Sequence, residues 1–164
     1  MWSIYFFRGI SYERAGNWIL AEADFRKALE LNPKQPQVLN YLGYSLIERR
    51  EQLNEALSMI EMALQVNPDS GHIVDSYAWC LYRLGDYKKA AKYMEKAVEL
   101  EPSDPIVNDH LGDALWMIGR RREAVFQWKR AIVFKPEKEN LARIEKKIEL
   151  GLDKVLLIEL NNEK

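Results

Sequence analysis

Residues 108–136 read NDHLGDALWMIGRRREAVFQWKRAIVFKP, and this stretch decides the fold. Its first half holds Asn108, Leu111, Gly112 and Leu115 at spacings that put them on one side of a helix. Gly119-Arg120 then breaks the pattern, as a glycine just past a helix end does. The second half holds Ala124, Trp128 and Ala131, spaced by four and three, and closes on Phe134-Lys135-Pro136. Small residues at the outer two positions let a neighbouring helix come close, and the bulky one fills the gap between them. The stretch predicts two helices folded against each other.

The same phrase stands three more times toward the N-terminus. Leu31-Asn32-Pro33, Val66-Asn67-Pro68 and Leu100-Glu101-Pro102 precede it, so the four prolines are 35, 34 and 34 residues apart. The second series recurs as Ala21, Phe25, Ala28; Ala56, Ile60, Ala63; and Ala90, Met94, Ala97. The first recurs as Tyr5, Arg8-Gly9, Tyr12; Leu39, Leu42-Gly43, Leu46; and Val74, Tyr77-Ala78, Leu81. Glycine inside a helix costs roughly 1 kcal/mol relative to alanine. Gly in three units and Ala in the fourth, at one offset, imply a close helix crossing that offsets this cost. Gly16-Asn17 and Gly85-Asp86 match the turn at Gly119-Arg120, whereas unit two uses Arg49-Arg50-Glu51-Gln52 and gains one residue. Ser103-Asp104-Pro105 supplies a cap and a first-turn proline for the next helix.

A held period of this kind, with Leu-Gly, Tyr or Leu, Ala, a bulky residue, Ala and Pro at fixed offsets, resembles the tetratricopeptide repeat. The wording of the last two units is similar to repeat proteins of bacteria. The resemblance covers about residues 2–136 and implies an all-α, right-handed α–α superhelix of four helix–turn–helix repeats. The repeats are expected at about 2–35, 36–69, 70–103 and 104–137. Their helices are expected at about 3–15, 18–31, 36–49, 53–66, 71–84, 87–100, 105–118 and 121–134. Residues 138–150 carry charge on one side and Leu141, Ile144 and Ile148 on the other, the pattern of a helix that caps an open stack. The repeat domain is thus expected over 1–151, and an apolar tail over 152–164. No equivalent cap precedes repeat one, where Trp2, Ile4, Phe6 and Phe7 stand near an uncovered end. The chain therefore reads as the C-terminal part of a longer array, or as one whose exposed end pairs with another copy.

Composition narrows the function. Lys and Arg number 24 against 25 Asp and Glu, a net charge of -1, and phosphate neutralisation needs a basic excess, so nucleic acid is not the expected partner. Hydrophobic residues at 48% suffice for a core and exclude a disordered chain. No stretch approaches the ~18 consecutive apolar residues of a membrane span. The start lacks the pattern of a secretory signal, so the chain reads as soluble, cytoplasmic by default or periplasmic if cut from a longer secreted chain. Cys80 alone can form neither an internal disulfide nor a thiolate metal site, and mid-helix among Trp79, Leu81 and Tyr82 it reads as a packed thiol.

Stacked repeats leave an extended concave surface. The resemblance implies that first helices line it and that its ligands are peptides or protein segments. Turned away from the signature residues, the expected stripes are Ser3, Phe6, Ile10, Glu13; Gln37, Asn40, Tyr44, Ile47; His72, Asp75, Trp79, Tyr82; and Ile106, Asp109, Asp113, Trp116. From these, Asn40, Tyr44, Asp75, Trp79, Tyr82, Asp109, Asp113 and Trp116 are the expected peptide contacts. Asn40 both donates and accepts, the aromatics give rigid contact area, and three carboxylates favour Lys or Arg in the ligand. Two readings stand for the aromatics, ligand contact or packing between neighbouring first helices. Two also stand for the carboxylates, ligand contact or a solvated face. Chaperone-binding members of the family hold a C-terminal carboxylate with Lys and Asn. Phe6, Ile10, His72, Asp75 and Ser76 depart from that pattern.

No cofactor, metal or catalytic centre is expected. Asp109, His110 and Asp113 lie within one turn, but His110 neighbours Asp109 and so points elsewhere. No phosphate loop, nucleophile elbow or His-Glu-x-x-His run occurs. Arg120, Arg121 and Arg122 read as a solvated turn. Val155 to Ile158 is apolar throughout, and this tail either packs on the cap, docks elsewhere on the array or makes the chain a homo-oligomer.

Overall fold

The computed structural model describes residues 1–162, and Glu163 and Lys164 of the expected tail lie outside the described residues. Ten helices run along them: α1 (Trp2–Arg14), α2 (Trp18–Leu31), α3 (Pro36–Glu48), α4 (Leu53–Val66), α5 (Gly71–Arg83), α6 (Tyr87–Leu100), α7 (Pro105–Met117), α8 (Arg121–Val133), α9 (Lys138–Leu150) and α10 (Leu152–Asn162). The first nine lie within a residue of the ranges expected from the sequence. There is no strand among the described residues. The architecture is an all-α solenoid in which α1–α2, α3–α4, α5–α6 and α7–α8 are closely packed hairpins, each second helix touching the next first helix.

The hairpin crossings are tight for a steric reason. A Cβ built on Gly43 would stand 2.7 Å from Ile60 Cγ1, and one on Gly112 would collide with the Trp128 indole. In unit three the residue is Ala78, and its register partner is Met94, an unbranched side chain, both fully buried. Phe25, Ile60, Met94 and Trp128, the bulky residues of the second series, are fully buried with the alanines on either side.

Turn chemistry sets the helix ends. The Gly85 amide donates to Tyr82 O and the Asp86 amide to Leu81 O, with Gly85 in the left-handed region at φ 88°. Asp86 then caps α6 by accepting from the Lys89 amide, and Asp104 caps α7 by accepting from the amides of Ile106 and Val107. Unit two closes its turn with the same bond pattern, Arg50 donating to Ile47 O and Glu51 to Leu46 O. It does so with non-glycine residues at positive φ, Arg50 at 56° and Gln52 at 45°.

The tail is a helix rather than an irregular segment. Gly151, at φ 85° and against the Trp116 ring, turns the chain sharply from α9 into α10. Leu152 and Val155 are buried, while Leu157, Ile158 and Leu160 are exposed. No helix among the described residues is long and apolar enough to cross a membrane.

Candidate functional site

The first helices α3, α5 and α7 line two adjoining concavities. One, of about 410 Å³, lies between α3 and α5 and is lined by Asn40, Tyr44, Glu48, His72 and Asp75, with Glu13 and Asp104 on its margins. The other, of about 310 Å³, is lined by Trp79, Tyr82, Asp109 and Asp113, with Arg143 of α9 and Leu156 and Glu159 of α10 on its far side. Tyr44, Glu48 and Ile106 border both, so the two form one continuous hollow along the array.

Trp79, Tyr82 and His110 form an aromatic column along the second concavity. Trp79 stacks on Tyr82 with ring centroids 4.6 Å apart and on His110 at 4.0 Å, both nearly parallel. The Trp79 indole Nε1 donates to Glu48 Oε1 at 2.6 Å, and Arg83 lies over the same indole. His110 reaches across from α7 to α5, its Nδ1 lying 2.8 Å from Asp75 Oδ2, with both side chains buried. Burial alone would lower the His110 pKa. The carboxylates of Asp75, Asp109 and Asp113 outweigh burial and hold the imidazole above its ordinary 6.5. Burial also raises the hydroxyls of Tyr44 and Tyr82 and pushes the Cys80 thiol up to about 11. A thiol so raised is a poor nucleophile at neutral pH.

The C-terminal helices fill the end of the hollow. Lys147 of α9 is fully buried, and its Nζ donates to Asp109 Oδ1 and Asp113 Oδ1, each at 2.5 Å. The Trp128 indole donates to the same Asp113 oxygen at 2.9 Å. Burial and the neighbouring Asp113 carboxylate raise the Asp109 carboxyl above the usual carboxylate range. Arg143 pairs with Glu159 at 2.7 Å and lies 3.6 Å from Asp113. Trp116 Nε1 donates to Asp153 of α10, and Arg121 sits over its ring.

The eight expected contact residues therefore fall into three places. Asn40, Tyr44 and Asp75 line the first concavity, and Trp79, Tyr82, Asp109 and Asp113 join Tyr44 on the second. Trp116 borders neither, being taken up by Trp128, Gly151 and Asp153. The cation expected at Asp109 and Asp113 is supplied by the chain's own Lys147. Phe6 of the expected stripe packs inward against Phe25 and Tyr41, and Ile47 is fully buried. Sequence reading missed Lys147, although it lies three residues beyond the buried Ile144 on the apolar side of α9. It also missed the Asp75–His110 pair, whose members are 35 residues apart and meet only when α5 and α7 stack. Among the described residues, no group of three or more His, Cys, Asp and Glu is arranged to hold a metal ion.

Comparison with known proteins agrees with the repeat fold. Residues 3–138 match the tetratricopeptide repeat family. A tetratricopeptide repeat-containing protein of Pseudomonas aeruginosa is 34% identical over 106 residues, which are 65% of this chain and 18% of that protein. The lipoprotein NlpI homolog of Haemophilus influenzae is 31% identical over 104 residues, 63% of this chain and 32% of that one. The chain thus spans a third or less of the length of these two relatives. Among solved structures, a tetratricopeptide repeat protein from Parabacteroides merdae superposes with a TM-score of 0.76 at 21% identity, covering 96% of this chain and 62% of that one. MamA from Desulfovibrio magneticus superposes with a TM-score of 0.70 at 20% identity, covering 84% and 77%. At these identities the structural likeness speaks for the fold alone.

Proposed function

The chain belongs to the tetratricopeptide repeat family, and from that premise we propose that it is a non-catalytic protein-interaction module, an adaptor or scaffold that holds a peptide or protein segment in its concave hollow. The observation that carries this reading is the concavity between α3 and α5, bordered by Asn40, Tyr44 and Asp75. Tyr44 offers rigid contact area at low entropy cost, and Asn40 offers both kinds of hydrogen bond to a ligand's main chain. The charged side chains that converge nearby engage one another, His110 with Asp75 Oδ2 and Asp113 with Lys147, which suits a scaffold better than a reaction centre. Affinity capture from the source cell, run beside a Tyr44→Ala variant, tests this. The variant keeps its helicity and loses about tenfold or more in affinity for the captured protein. Equal capture by both proteins would remove the hollow as the binding site.

A second reading rests on a separate observation, the uncovered first repeat. Val38, Ile73 and Val107 occupy one register position and are buried against the preceding unit. Ile4 holds that position in repeat one and is 57% exposed, with Phe7 beside it at 64%. Together with Leu157 and Leu160 of α10, these surfaces suit self-association through the N-terminal helix or the C-terminal tail. On this reading light scattering gives a mass above the 19.2 kDa monomer, and Phe7→Asp or truncation after Gly151 returns it to the monomer. A monomer at every concentration removes it.

A further inference from the structure

The repeat register places Asn40, Asp75 and Asp109 at one and the same position of units two, three and four. At the next turn it places Tyr44, Trp79 and Asp113 together. The three copies of this step differ in how they are satisfied. In unit four, Asp109 and Asp113 enclose the ammonium of Lys147, which a helix of the same chain delivers from the open side. In units two and three, Asn40 Oδ1 and Asp75 Oδ1 are shielded from water and have no hydrogen-bond partner, and both residues border the α3–α5 concavity. A shielded oxygen without a donor is costly. A donor reaching either oxygen from the concavity would relieve that cost.

Resting on the groove reading above, we propose that the α3–α5 concavity is a binding site for a lysine or arginine side chain of a partner protein segment, received by Asp75 and Asn40 against the ring of Tyr44. Lys147 shows the chemistry the step accepts: a cation flanked by carboxylates and lying 5.2 Å from an aromatic centroid, that of Trp128. The charge around the concavity has the right sign. Glu13, Glu48 and Asp104 join Asp75 on it, against Arg49 and His72. The Arg49 guanidinium is drawn away over Trp18 at 4.5 Å, and His72 lies 3.8 Å from both Glu101 and Asp104. A basic side chain would thus meet shielded acceptors, an acidic margin and an aromatic face, where a charge-assisted bond is stronger than in water. An acidic side chain would meet the carboxylates of Glu13, Glu48, Asp75 and Asp104, which outnumber Arg49 and His72.

Selection from a random twelve-residue peptide display library on the whole chain tests this, followed by affinity measurement of the selected peptides. The expected result is a set of binders sharing a Lys or Arg. Replacing that residue by norleucine, or Asp75 by Asn in the protein, costs each binder about tenfold or more. Asn40→Leu, at a partly exposed position that leaves the Asp75–His110 pair in place, gives a loss in the same direction should Asp75→Asn disturb folding. Binders that depend on Tyr44 yet carry no basic residue would overturn the lysine–arginine site and leave the groove reading standing. Binders indifferent to Tyr44, or none at all, would overturn both.

Discussion

Arg50 stands where the other three units place Gly16, Gly85 and Gly119, and it adopts their left-handed backbone at a cost of about 1–2 kcal/mol. The turn still closes with the same two amide bonds, so the packing of α3 on α4 outweighs the local preference. His110 is a second kind of residue whose environment overrides its intrinsic behaviour. Its folded-state pKa lies above the ordinary value of 6.5, so the pair with Asp75 contributes stability fully below about pH 6.5 and loses it as pH rises through the raised value. Urea unfolding of the wild type is therefore expected to show a midpoint that falls on going from slightly acidic to alkaline pH. In His110→Gln that component is absent and the curve is flatter, while the variant is less stable at pH 6. A wild-type slope unchanged by the substitution would show that the pair is uncoupled from folding. Neither feature was legible beforehand. A missing turn glycine can be seen at Arg50, but whether the backbone tolerates it depends on packing, and the partner of His110 is set by how α5 meets α7.

At the scale of the element, the helices announced themselves because their reasons are local: apolar spacing, a closing turn and, for α2, α6 and α7, an Asn or Asp cap. What α9 does could not be read the same way. Its sequence gives an amphipathic helix, and that much was recovered over Lys138–Leu150. The buried Lys147, however, takes its meaning from two carboxylates on α7, more than thirty residues away. Lys147→Met is expected to lower stability by about 3–5 kcal/mol at neutral pH, because it leaves Asp109 and Asp113 buried side by side with only Arg143, 3.6 Å from Asp113, to offset them. Adding Asp109→Asn removes the repulsion and recovers part of the loss. A cost below about 1 kcal/mol in urea unfolding would mean that the cap opens and solvates the carboxylates rather than clamping them.

Taken as a whole, the molecule is a line of units packed chiefly on their neighbours, with Tyr44 of unit two also 6.5 Å from His110 of unit four between ring centroids, so its stability is distributed by position. Eleven of the thirteen residues of α5 are buried, against two, Phe6 and Gly9, in α1. Native-state hydrogen exchange on the 164-residue chain is expected to rank α1 and α2 as the least protected of the repeat helices and α5 as the most. Uniform protection from end to end would show that the array unfolds as one cooperative block. The hollow follows the same axis. Arg143, Leu156 and Glu159 wall it beside unit four, while Asn40 and Tyr44 of unit two border its other part. On the proposed groove reading the hollow is walled at one end, so a bound segment lies in it with a direction. Two segments with the same residues in opposite order are then different objects for this protein.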